Sequence, residues 1–362
     1  MPEYYQTRAL VKKTKDAKFG EGTIKRGVTG PDQIEVDIKF CGICHTDVHL
    51  ANDEISMLLP AVYPIVPGHE MAGIVTKVGE NVKNFKVGDR VGMGCIVEAC
   101  LKCSQCKFGD EQLCQTGYTH TYSAPIQYGQ LATDTGVTFG GYSEKISIHE
   151  HFAVKIPDSY PMEAAGPIFC SGITMFSPLK RCGATAGGQR VGIIGIGGLG
   201  QMGIRLAKAM NCEVTAISTS PNKEAKAREI GADHFVVSTD PDAMKKAAKS
   251  LDIILDTAAV DHQAIDYFPL LDANGQLVLI GVTIEPHSIP AGALMFNRQS
   301  LSGSLIGSML ETQEVIDFCA KHQIIPDTKL VTGDQVEDVY QALRSKNDSI
   351  IRYVLDIEKT FK

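Results

Sequence analysis

The stretch that decides the fold is Val191–Gly200, with the sequence VGIIGIGGLG, in which an apolar run enters a glycine loop and then a helical pattern. Gly195, Gly197 and Gly200 form a G-x-G-x-x-G pattern, in which the glycines permit a tight turn, close approach of a pyrophosphate and close helix–strand packing. The phosphates would lie on the helix N-terminus, where free N–H groups favour anions. The stretch predicts a dinucleotide-binding unit; the alternative is a glycine-rich turn without a ligand.

Strand-like runs alternate with runs of helical length around this loop. The predicted strands are Val191–Gly195, Glu213–Ser218, His234–Ser238, Leu251–Ala258, Gln276–Val282 and Ser300–Ile306. The predicted helices are Gly200–Met210, Asn222–Ile230, Pro241–Lys249 and Asp261–Leu271. This alternation predicts an α/β fold in which a doubly wound parallel sheet is covered by helices on both faces.

The part of the chain before this sheet has a different residue pattern. Short strand patterns with turns between them, such as Gln33–Lys39, Gly73–Val78 and Arg90–Met93, predict a mostly-β domain. We therefore divide the chain into a mostly-β domain (residues 1–156), a nucleotide-binding domain (157–299) and a last part (300–362). The last part adds an edge strand to the sheet, contains a helix over Thr312–His322 and returns to the first domain.

Composition excludes several classes of protein. The 362 residues include 35 Lys and Arg against 42 Asp and Glu, a net charge of −7, which argues against a nucleic-acid or anionic-membrane partner. No apolar run reaches the ~18 residues that a membrane span needs. The N-terminus lacks a basic region followed by an apolar stretch, so we expect no secretory signal and a cytoplasmic protein.

Eleven cysteines are unevenly distributed, and seven of them fall between Cys41 and Cys114. Cys100, Cys103, Cys106 and Cys114 have the spacing of a closed structural zinc site, in a lobe over about residues 95–115. A redox or iron–sulfur role is the alternative. For the cysteines outside the proposed metal sites we expect buried apolar thiols, namely Cys41, Cys95, Cys182, Cys212 and Cys319.

The residues at the end of the strand that follows the glycine loop distinguish an NAD(H) site from an NADP(H) site. An NAD-specific site has a carboxylate there, which binds the ribose 2′-hydroxyl. This chain instead has Ser218, Thr219, Ser220 and Lys223, with Glu213 too early in the strand. Hydroxyls and an ammonium suit a 2′-phosphate, which a carboxylate would repel. The sequence therefore predicts NADP(H).

Three further segments carry metal-ligand residue types far apart in the chain: Cys44–His49, Gly68–Glu70 and Cys170–Thr174. Taken singly, each cysteine is more often a core residue and each histidine a surface residue. Together with the lobe and the glycine loop they resemble the zinc-dependent medium-chain alcohol dehydrogenases, in the branch of cinnamyl alcohol dehydrogenases and related broad-range aldehyde reductases. The resemblance covers the whole chain through the motifs Gly42–Asp47, Pro67–Glu70, Gly140–Ser143, Cys170–Thr174, Gly303–Ser308 and Arg352–Asp356.

The resemblance implies a GroES-like catalytic domain, a Rossmann domain and hydride transfer between NADP(H) and a primary alcohol or aldehyde of the aromatic, allylic or aliphatic, cinnamaldehyde-like kind. It implies a catalytic zinc on Cys44, His69 and Cys170, with Glu70 as a transient ligand, in addition to the structural zinc. Asp47 would orient a ligand, and Thr46 and His49 would form a proton relay. The remaining implied contacts are to the cofactor, from Gly195, Gly197, Gly198, Leu199, Gly200, Ser218, Thr219, Ser220, Lys223, Thr174, Ser304 and Arg352.

Two other functions stay open at this point. One is the reduction of iminium ions or activated alkenes, which some members of this branch carry out. The other is a zinc- and nucleotide-binding interaction protein without catalysis. The chain departs from relatives at two places. At Tyr118–His120 lignin-pathway members often have a Trp, and this chain has none; at Ile350 many relatives have an additional Arg, so we expect one phosphate contact fewer. We expect a homodimer, because the edge strand Ser300–Ile306 can pair across a two-fold axis.

Overall fold

A computed structural model describes residues 3–57, 59–345 and 352–362, so Ile350 lies outside the described residues. In chain order its strands are β1 (Tyr4–Val11), β2 (Gly20–Gly27), β3 (Gln33–Gly42), β4 (Met71–Val78), β5 (Arg90–Met93), β6 (Ile96–Ala99), β7 (Tyr118–His120), β8 (Lys145–His149), β9 (Val154–Lys155), β10 (Arg190–Ile194), β11 (Glu213–Ser218), β12 (His234–Val237), β13 (Leu251–Asp256), β14 (Leu271–Leu279), β15 (Ser300–Gly303), β16 (Thr328–Val331) and β17 (Arg352–Asp356). Its α-helices are α1 (His45–Ala51), α2 (Ser104–Phe108), α3 (Ser171–Arg181), α4 (Gly198–Ala209), α5 (Glu224–Glu229), α6 (Pro241–Lys246), α7 (Ala291–Met295), α8 (Met309–His322), α9 (Val336–Arg344) and α10 (Ile357–Thr360).

One compact unit, Ser171–Gly307, contains a six-stranded sheet in the order β12-β11-β10-β13-β14-β15. Every neighbouring pair in it is parallel. In order of appearance this is 3-2-1-4-5-6, the strand order of a dinucleotide-binding doubly wound fold. In the central strand β10, Val191, Ile193 and Ile194 are all buried, as expected for a strand covered on both faces. The predicted parallel sheet is confirmed, with β15 at its edge.

Three element predictions in this unit need correction. The helix predicted over Asp261–Leu271 is wrong, because the chain forms a 3₁₀ helix over Ala264–Leu270 with Pro269 inside it. Proline removes a backbone donor and clashes with the preceding turn, so an α-helix does not continue through it. The strand predicted over Gln276–Val282 runs instead over Leu271–Leu279, and the strand predicted over Ser300–Ile306 ends at Gly303.

The other unit comprises Met1–Cys170 and Ser308–Lys362. Its main sheet has seven strands in the order β16-β17-β3-β4-β5-β9, with β8 also paired to β3. Strand β17 pairs antiparallel with β3, so the end of the chain completes the sheet that its beginning starts. The core is apolar and includes fully buried Tyr142 and Phe152. The predicted mostly-β domain and the return of the last part to it are both present.

The units divide the chain after Cys170 and after Gly307, whereas the sequence suggested limits at residues 156 and 299. The extra segment consists of short 3₁₀ turns that pack on the first unit's sheet. Gly166 lies so close to the carbonyl of Glu70, and Phe169 to Gly92, that a Cβ on either glycine would collide. The change in sequence pattern after residue 156 marks the end of the strand-rich stretch, whereas the packing of residues 157–170 on the sheet places the end of the unit after Cys170.

None of the helices in the described part of the chain is both long enough and apolar enough to cross a membrane.

Candidate active site and metal-binding clusters

Three distant segments of the first unit converge on one cluster of metal-ligand side chains. The donor atoms of Cys44, His69, Glu70 and Cys170 all lie within 4.8 Å of one another. Cys44 Sγ lies 3.9 Å from Cys170 Sγ, and His69 Nε2 lies 3.3 Å from the same sulfur. Two sulfurs, one imidazole nitrogen and a carboxylate form a donor set typical of zinc.

Local structure explains how these residues come together. Cys44 is the N-cap of α1, His69 and Glu70 lead directly into β4, and Cys170 is the last residue of the 1–170 segment. Strand β4 pairs with β3, whose end, Gly42, lies two residues before Cys44. The sheet therefore supplies a rigid base for two of the three segments.

Asp47 orients this cluster from the first turn of α1. Its Oδ1 accepts hydrogen bonds from His69 Nδ1 and from the N–H of Gly68, each at 3.1 Å. Its Oδ2 accepts the N–H of Cys44 at 2.9 Å, which completes a capping box. Because a carboxylate only accepts, Nδ1 carries a proton, and the ring is held with Nε2 facing Cys170. One fully buried side chain thus fixes two donors.

The two thiols behave as a pair. The hydrogen bond from Cys170 lowers the pKa of Cys44 well below its ordinary value, while the same contact raises the pKa of Cys170. One sulfur is therefore ready to act as a thiolate, and the other gives up its proton only when a cation replaces that proton.

Glu70 is fully buried beside the sulfurs and bridges to the end of the chain. Its Oε1 forms an ion pair with the guanidinium of Arg352 on β17, and its Oε2 has no hydrogen-bond partner among the described residues. Burial raises the pKa of Glu70 to about 7, although Arg352 opposes the shift. Gly42 makes room, because a Cβ there would collide with the Glu70 carboxylate. Arg352, predicted to contact the cofactor, lies in the first unit.

Thr46 and His49 lie one turn apart on α1. Thr46 Oγ1 is 3.8 Å from Cys44 Sγ. His49 is half-exposed, and its Nδ1 is 2.8 Å from Glu54 Oε2, while the other oxygen of Glu54 pairs with Arg344 at 2.6 Å. The helix thus presents a hydroxyl beside the cluster and an imidazole toward solvent.

The four cysteines of the lobe form a second cluster, with sulfurs within 4.8 Å of one another. Backbone N–H groups point at these sulfurs: Cys100 Sγ accepts from Lys102 and Cys103, and Cys103 Sγ accepts from Cys106 and Gln115, at 3.3–3.5 Å. These bonds lower the pKa of Cys100 and of Cys103. Donors of this kind favour thiolates, as a closed metal site requires.

The glycine loop connects β10 to α4 in the second unit. Gly195 has φ +84°, a left-handed conformation that favours glycine, and a Cβ on Gly200 would collide with the Gly195 carbonyl. At Gly197, the N-cap of α4, a Cβ would meet nothing within 4 Å. Gly198 and Leu199 begin the helix, so the open space lies at its N-terminus, which suits an anion.

The polar residues after β11 border this loop. Lys223 Nζ donates to the carbonyl of Ile196 at 3.4 Å, and the N–H of Ser220 donates to Ser218 Oγ at 3.1 Å. Thr219 is exposed between them. This geometry places the Lys223 ammonium against the glycine loop, with three hydroxyl-bearing residues just before it in the chain.

The two remaining predicted cofactor residues also belong to the second unit. Thr174 is buried in α3, and Ser304 follows β15 and donates its N–H to the carbonyl of Leu279 at 3.0 Å. The structure gives neither residue a hydrogen bond to the glycine loop among the interactions described for residues 171–307.

Comparison with known proteins matches both halves of this arrangement. Residues 30–158 match the family "Alcohol dehydrogenase GroES-like domain", and residues 198–321 match "Zinc-binding dehydrogenase". A probable cinnamyl alcohol dehydrogenase of Oryza sativa is 43% identical over 92% of this chain and 91% of its own length. The chain belongs to the zinc-dependent medium-chain alcohol dehydrogenases. Within them it falls in the cinnamyl alcohol dehydrogenase branch.

Two further proteins are similar to this dehydrogenase, one in sequence and one in solved structure. An 8-hydroxygeraniol dehydrogenase of Catharanthus roseus is 43% identical over 93% of this chain and 91% of that protein. The crystal structure of a cinnamyl alcohol dehydrogenase from Helicobacter pylori, complexed with NADP(H), superposes with a TM-score of 0.88 at 35% identity and covers 99% of this chain and 100% of that one.

The dehydrogenase site contains one sulfur that sequence reasoning misplaced. Cys95 is partly exposed, and its hydrogen bond with Cys170 lowers the pKa of Cys95. Cys182 is also partly exposed, whereas Cys41, Cys212 and Cys319 are buried as predicted. Cys95 directly precedes β6, and this strand is too short for its sequence pattern to predict where Cys95 lies.

An aromatic row accompanies Cys95. Tyr118 and His120 lie on one face of β7 with ring centroids 4.8 Å apart, and the Tyr122 ring stacks on His69 at 6.0 Å. Burial lowers the pKa of His120 to about 4, so its imidazole is neutral. Alternation along an extended segment would have suggested this row.

Two buried carboxylates anchor the lobe of the dehydrogenase, and the sequence offered no signal for them. Glu98 accepts from Thr119 Oγ1 and from the N–H groups of Gln127 and Gln130, at 2.8–2.9 Å. Glu111 contacts His151 Nε2 at 2.7 Å and accepts the first N–H of α8 at 3.1 Å. Glu98 thus ties the start of the lobe to the segment that follows it, and Glu111 ties the lobe to His151 and to the start of α8.

Proposed function

We propose that this dehydrogenase reduces aldehydes to primary alcohols, and reverses that reaction, by hydride transfer with NADP(H) at a site built from Cys44, His69 and Cys170. The observation that carries the proposal is the convergence of two sulfurs and the Nε2 of an oriented imidazole within 4.8 Å. This is the Cys₂His set that alcohol dehydrogenases use for zinc, and it leaves a fourth position open for the reacting oxygen.

The residues fit a catalytic zinc ion in three respects. The donors are soft and neutralise charge, Asp47 keeps His69 in the tautomer that presents Nε2, and Glu70 holds an unpaired Oε2 in reach. When bound, a zinc ion supplies Lewis acidity to the substrate oxygen. Glu70, paired with Arg352, would place a carboxylate next to the open fourth ligand position.

Protons reach the buried oxygen through the chain's own side chains. Thr46 Oγ1, beside Cys44, donates to and accepts from the substrate oxygen. His49, half-exposed and held by Glu54, exchanges the proton with solvent. The helical spacing keeps the two groups on one side of α1, at different depths.

The four-cysteine lobe would hold the second, structural zinc ion. Its four sulfurs leave no open position, and the N–H groups around them stabilise thiolates. Glu98 and Glu111 support this role, because they fasten the lobe on both sides.

NADP(H) would bind at the glycine loop of the second unit. The open N-terminus of α4 suits the pyrophosphate, and Lys223 with Ser218, Thr219 and Ser220 suits a 2′-phosphate. The NADP(H) complex of the Helicobacter pylori relative supports the same choice. No carboxylate lies at the end of β11.

The substrate class is a cinnamaldehyde-like aldehyde, aromatic or allylic. The relatives named for cinnamyl alcohol and 8-hydroxygeraniol support it, as does the aromatic row Tyr118, His120 and Tyr122 beside the metal cluster. Aromatic side chains pack well on flat unsaturated groups.

A homodimer is proposed from the edge of the six-stranded sheet. Strand β15 pairs only with β14 among the described strands, and three of its four residues are exposed. Large apolar side chains in the same unit are also exposed, namely Ile284 and Phe296 at 90%, Met295 at 73% and Leu305 at 58%. An unpaired edge flanked by apolar surface is typical of an interface. A cytosolic location is proposed because both thiolate clusters need reducing conditions.

Turnover of cinnamaldehyde by the zinc-replete protein tests the function. We expect NADPH oxidation to be at least tenfold faster, in kcat/KM, than NADH oxidation. Absence of activity on every aldehyde tried would contradict the reaction. A preference for NADH of the same size would contradict the cofactor assignment alone.

A further inference from the structure

A buried acid–histidine pair lies at the carboxyl edge of the six-stranded sheet. Asp256 ends β13 and is 1% exposed, and it stands opposite Ile194, the last residue of β10, in the parallel register. His262 follows six residues later, on the loop after β13. The pair therefore lies next to the strand end from which the glycine loop begins, and none of the steps described above uses it.

Both ring nitrogens of His262 face acceptors. Nε2 lies 2.6 Å from Asp256 Oδ2, and Nδ1 lies 2.7 Å from the carbonyl oxygen of Val260. A carbonyl and a carboxylate can only accept, so both nitrogens must donate. The geometry therefore describes an imidazolium, which loses one of these bonds when it is deprotonated.

Other titratable groups around His262 are consistent with a positive charge there. Asp266 is a second nearby carboxylate, and the rings of Tyr267 and His287 lie 6.0 and 5.4 Å away. His287 accepts the N–H of Ala264 at Nδ1, at 3.3 Å. Burial lowers the pKa of His262, but the bonds to Val260 and Asp256 outweigh burial and raise it.

The loop held by this pair contacts the glycine loop directly. Thr257 Oγ1 donates to the carbonyls of Ile194 and Gly195, at 2.7 and 3.1 Å, and the N–H of Ala258 donates to Asp256 Oδ1 at 3.1 Å. A Cβ on Gly195 would lie 3.0 Å from Thr257 Oγ1. Displacing the 257–262 segment therefore displaces the first glycine of the loop.

We propose that Asp256 and His262 form a protonation-dependent clamp, in which His262 acts as a positioning residue for NADP(H) and the cofactor binds more weakly once His262 loses its proton. The proposal rests on the proposed binding of NADP(H) at the glycine loop. Its structural half, the clamp itself, concerns only residues of this chain and is measurable without a cofactor.

The cofactor half is tested by titrating the zinc-loaded enzyme with NADPH and following fluorescence, at pH 6.5 and pH 9. We expect His262→Gln to bind NADPH about tenfold more weakly than the unmodified protein at pH 6.5, the factor that one charge-assisted hydrogen bond is worth. The difference should shrink toward none at pH 9, where the unmodified protein has also lost the clamp. His234→Gln is the matched control, because His234 forms an exposed pair with Glu213 at 2.6 Å on the same sheet.

The structural half is tested by thermal unfolding of the cofactor-free enzyme. A raised folded-state pKa means that the stabilisation is present below about pH 6.5, the ordinary histidine value, and is lost as the pH rises through the folded value. We therefore expect His262→Gln to lower Tm at pH 6 and to match the unmodified protein at pH 9. Asp256→Asn, which removes the charge and keeps the shape, should behave in the same way.

The outcomes separate the two ideas. Equal Tm values for both variants and the unmodified protein at pH 6 overturn the clamp. A lowered Tm with unchanged NADPH affinity overturns the role in positioning the cofactor. Failure of the unmodified protein to bind NADPH at all overturns the proposed function and, with it, that positioning role, while the Tm series still decides on the clamp.

Discussion

At the scale of single residues, the cluster of Cys44, His69 and Cys170 depends on neighbouring residues that supply no donor atom to it. Asp47 makes three hydrogen bonds with one buried carboxylate, and these fix both a ring tautomer and the backbone of Cys44. Gly42 contributes by lacking a side chain, since any Cβ would displace Glu70. Orientation by such neighbours commonly changes metal affinity by about 10–100-fold.

Thr46 provides the sharpest test at this scale. We expect Thr46→Val to lower kcat about 100-fold, because the valine keeps the shape and removes the group that passes the proton. Bound zinc, measured by elemental analysis, should stay at the unmodified level. Thr46→Ser, which restores a hydroxyl, should recover most of the rate, and full activity in the valine variant would remove Thr46 from the relay.

At the scale of elements, short helices and turns do most of the positioning. Helix α1 has seven residues and carries Thr46, Asp47 and His49. Helix α2 has five, and Gly109 with φ +87° ends it, which turns the chain back toward Cys114. Helices this short are marginal in isolation, so the bonds that hold their ends must stabilise them.

The lobe should therefore depend on its metal. We expect Cys103→Ser to lose one of the two bound zinc ions and to lower Tm, because four ligands hold what the short elements cannot. Cys182→Ser, at a partly exposed thiol outside both clusters, is the matched control and should keep both ions. Metal content and Tm decide the matter; a Cys103→Ser protein with full zinc and unchanged Tm would contradict a structural site.

Sequence patterns predicted some elements well and others poorly. The strands of the second unit are apolar runs, and four of the six predicted there overlap observed strands closely. β14 instead begins at Leu271, before its predicted start at Gln276, and β15 is shorter than predicted. The segment after Asp261 has helical spacing but contains Pro269, and tertiary packing settles it as a 3₁₀ helix. Cys95 could not be placed, because its neighbour in space, Cys170, is far away in the chain.

At the scale of the whole molecule, the exposed edge of the six-stranded sheet predicts self-association. We expect light scattering to give twice the chain mass of 39.1 kDa. Phe296→Glu should shift the protein toward the monomer, because it places a charge where an apolar side chain would be buried. Phe108→Glu, at an 82% exposed residue of the lobe, should leave the mass unchanged. A monomeric unmodified protein at micromolar concentration would contradict the dimer.

The sequence by itself determined the parallel sheet, the glycine loop and the four-cysteine lobe, because each depends on residues close together in the chain. Periodicity, a G-x-G-x-x-G turn and C-x₂-C spacing are local signals. Only the tertiary structure decided that Cys44, His69 and Cys170 meet and that Arg352 pairs with Glu70. Those contacts form between distant segments when sheets and turns bury their side chains together, and local spacing carries no record of such a meeting.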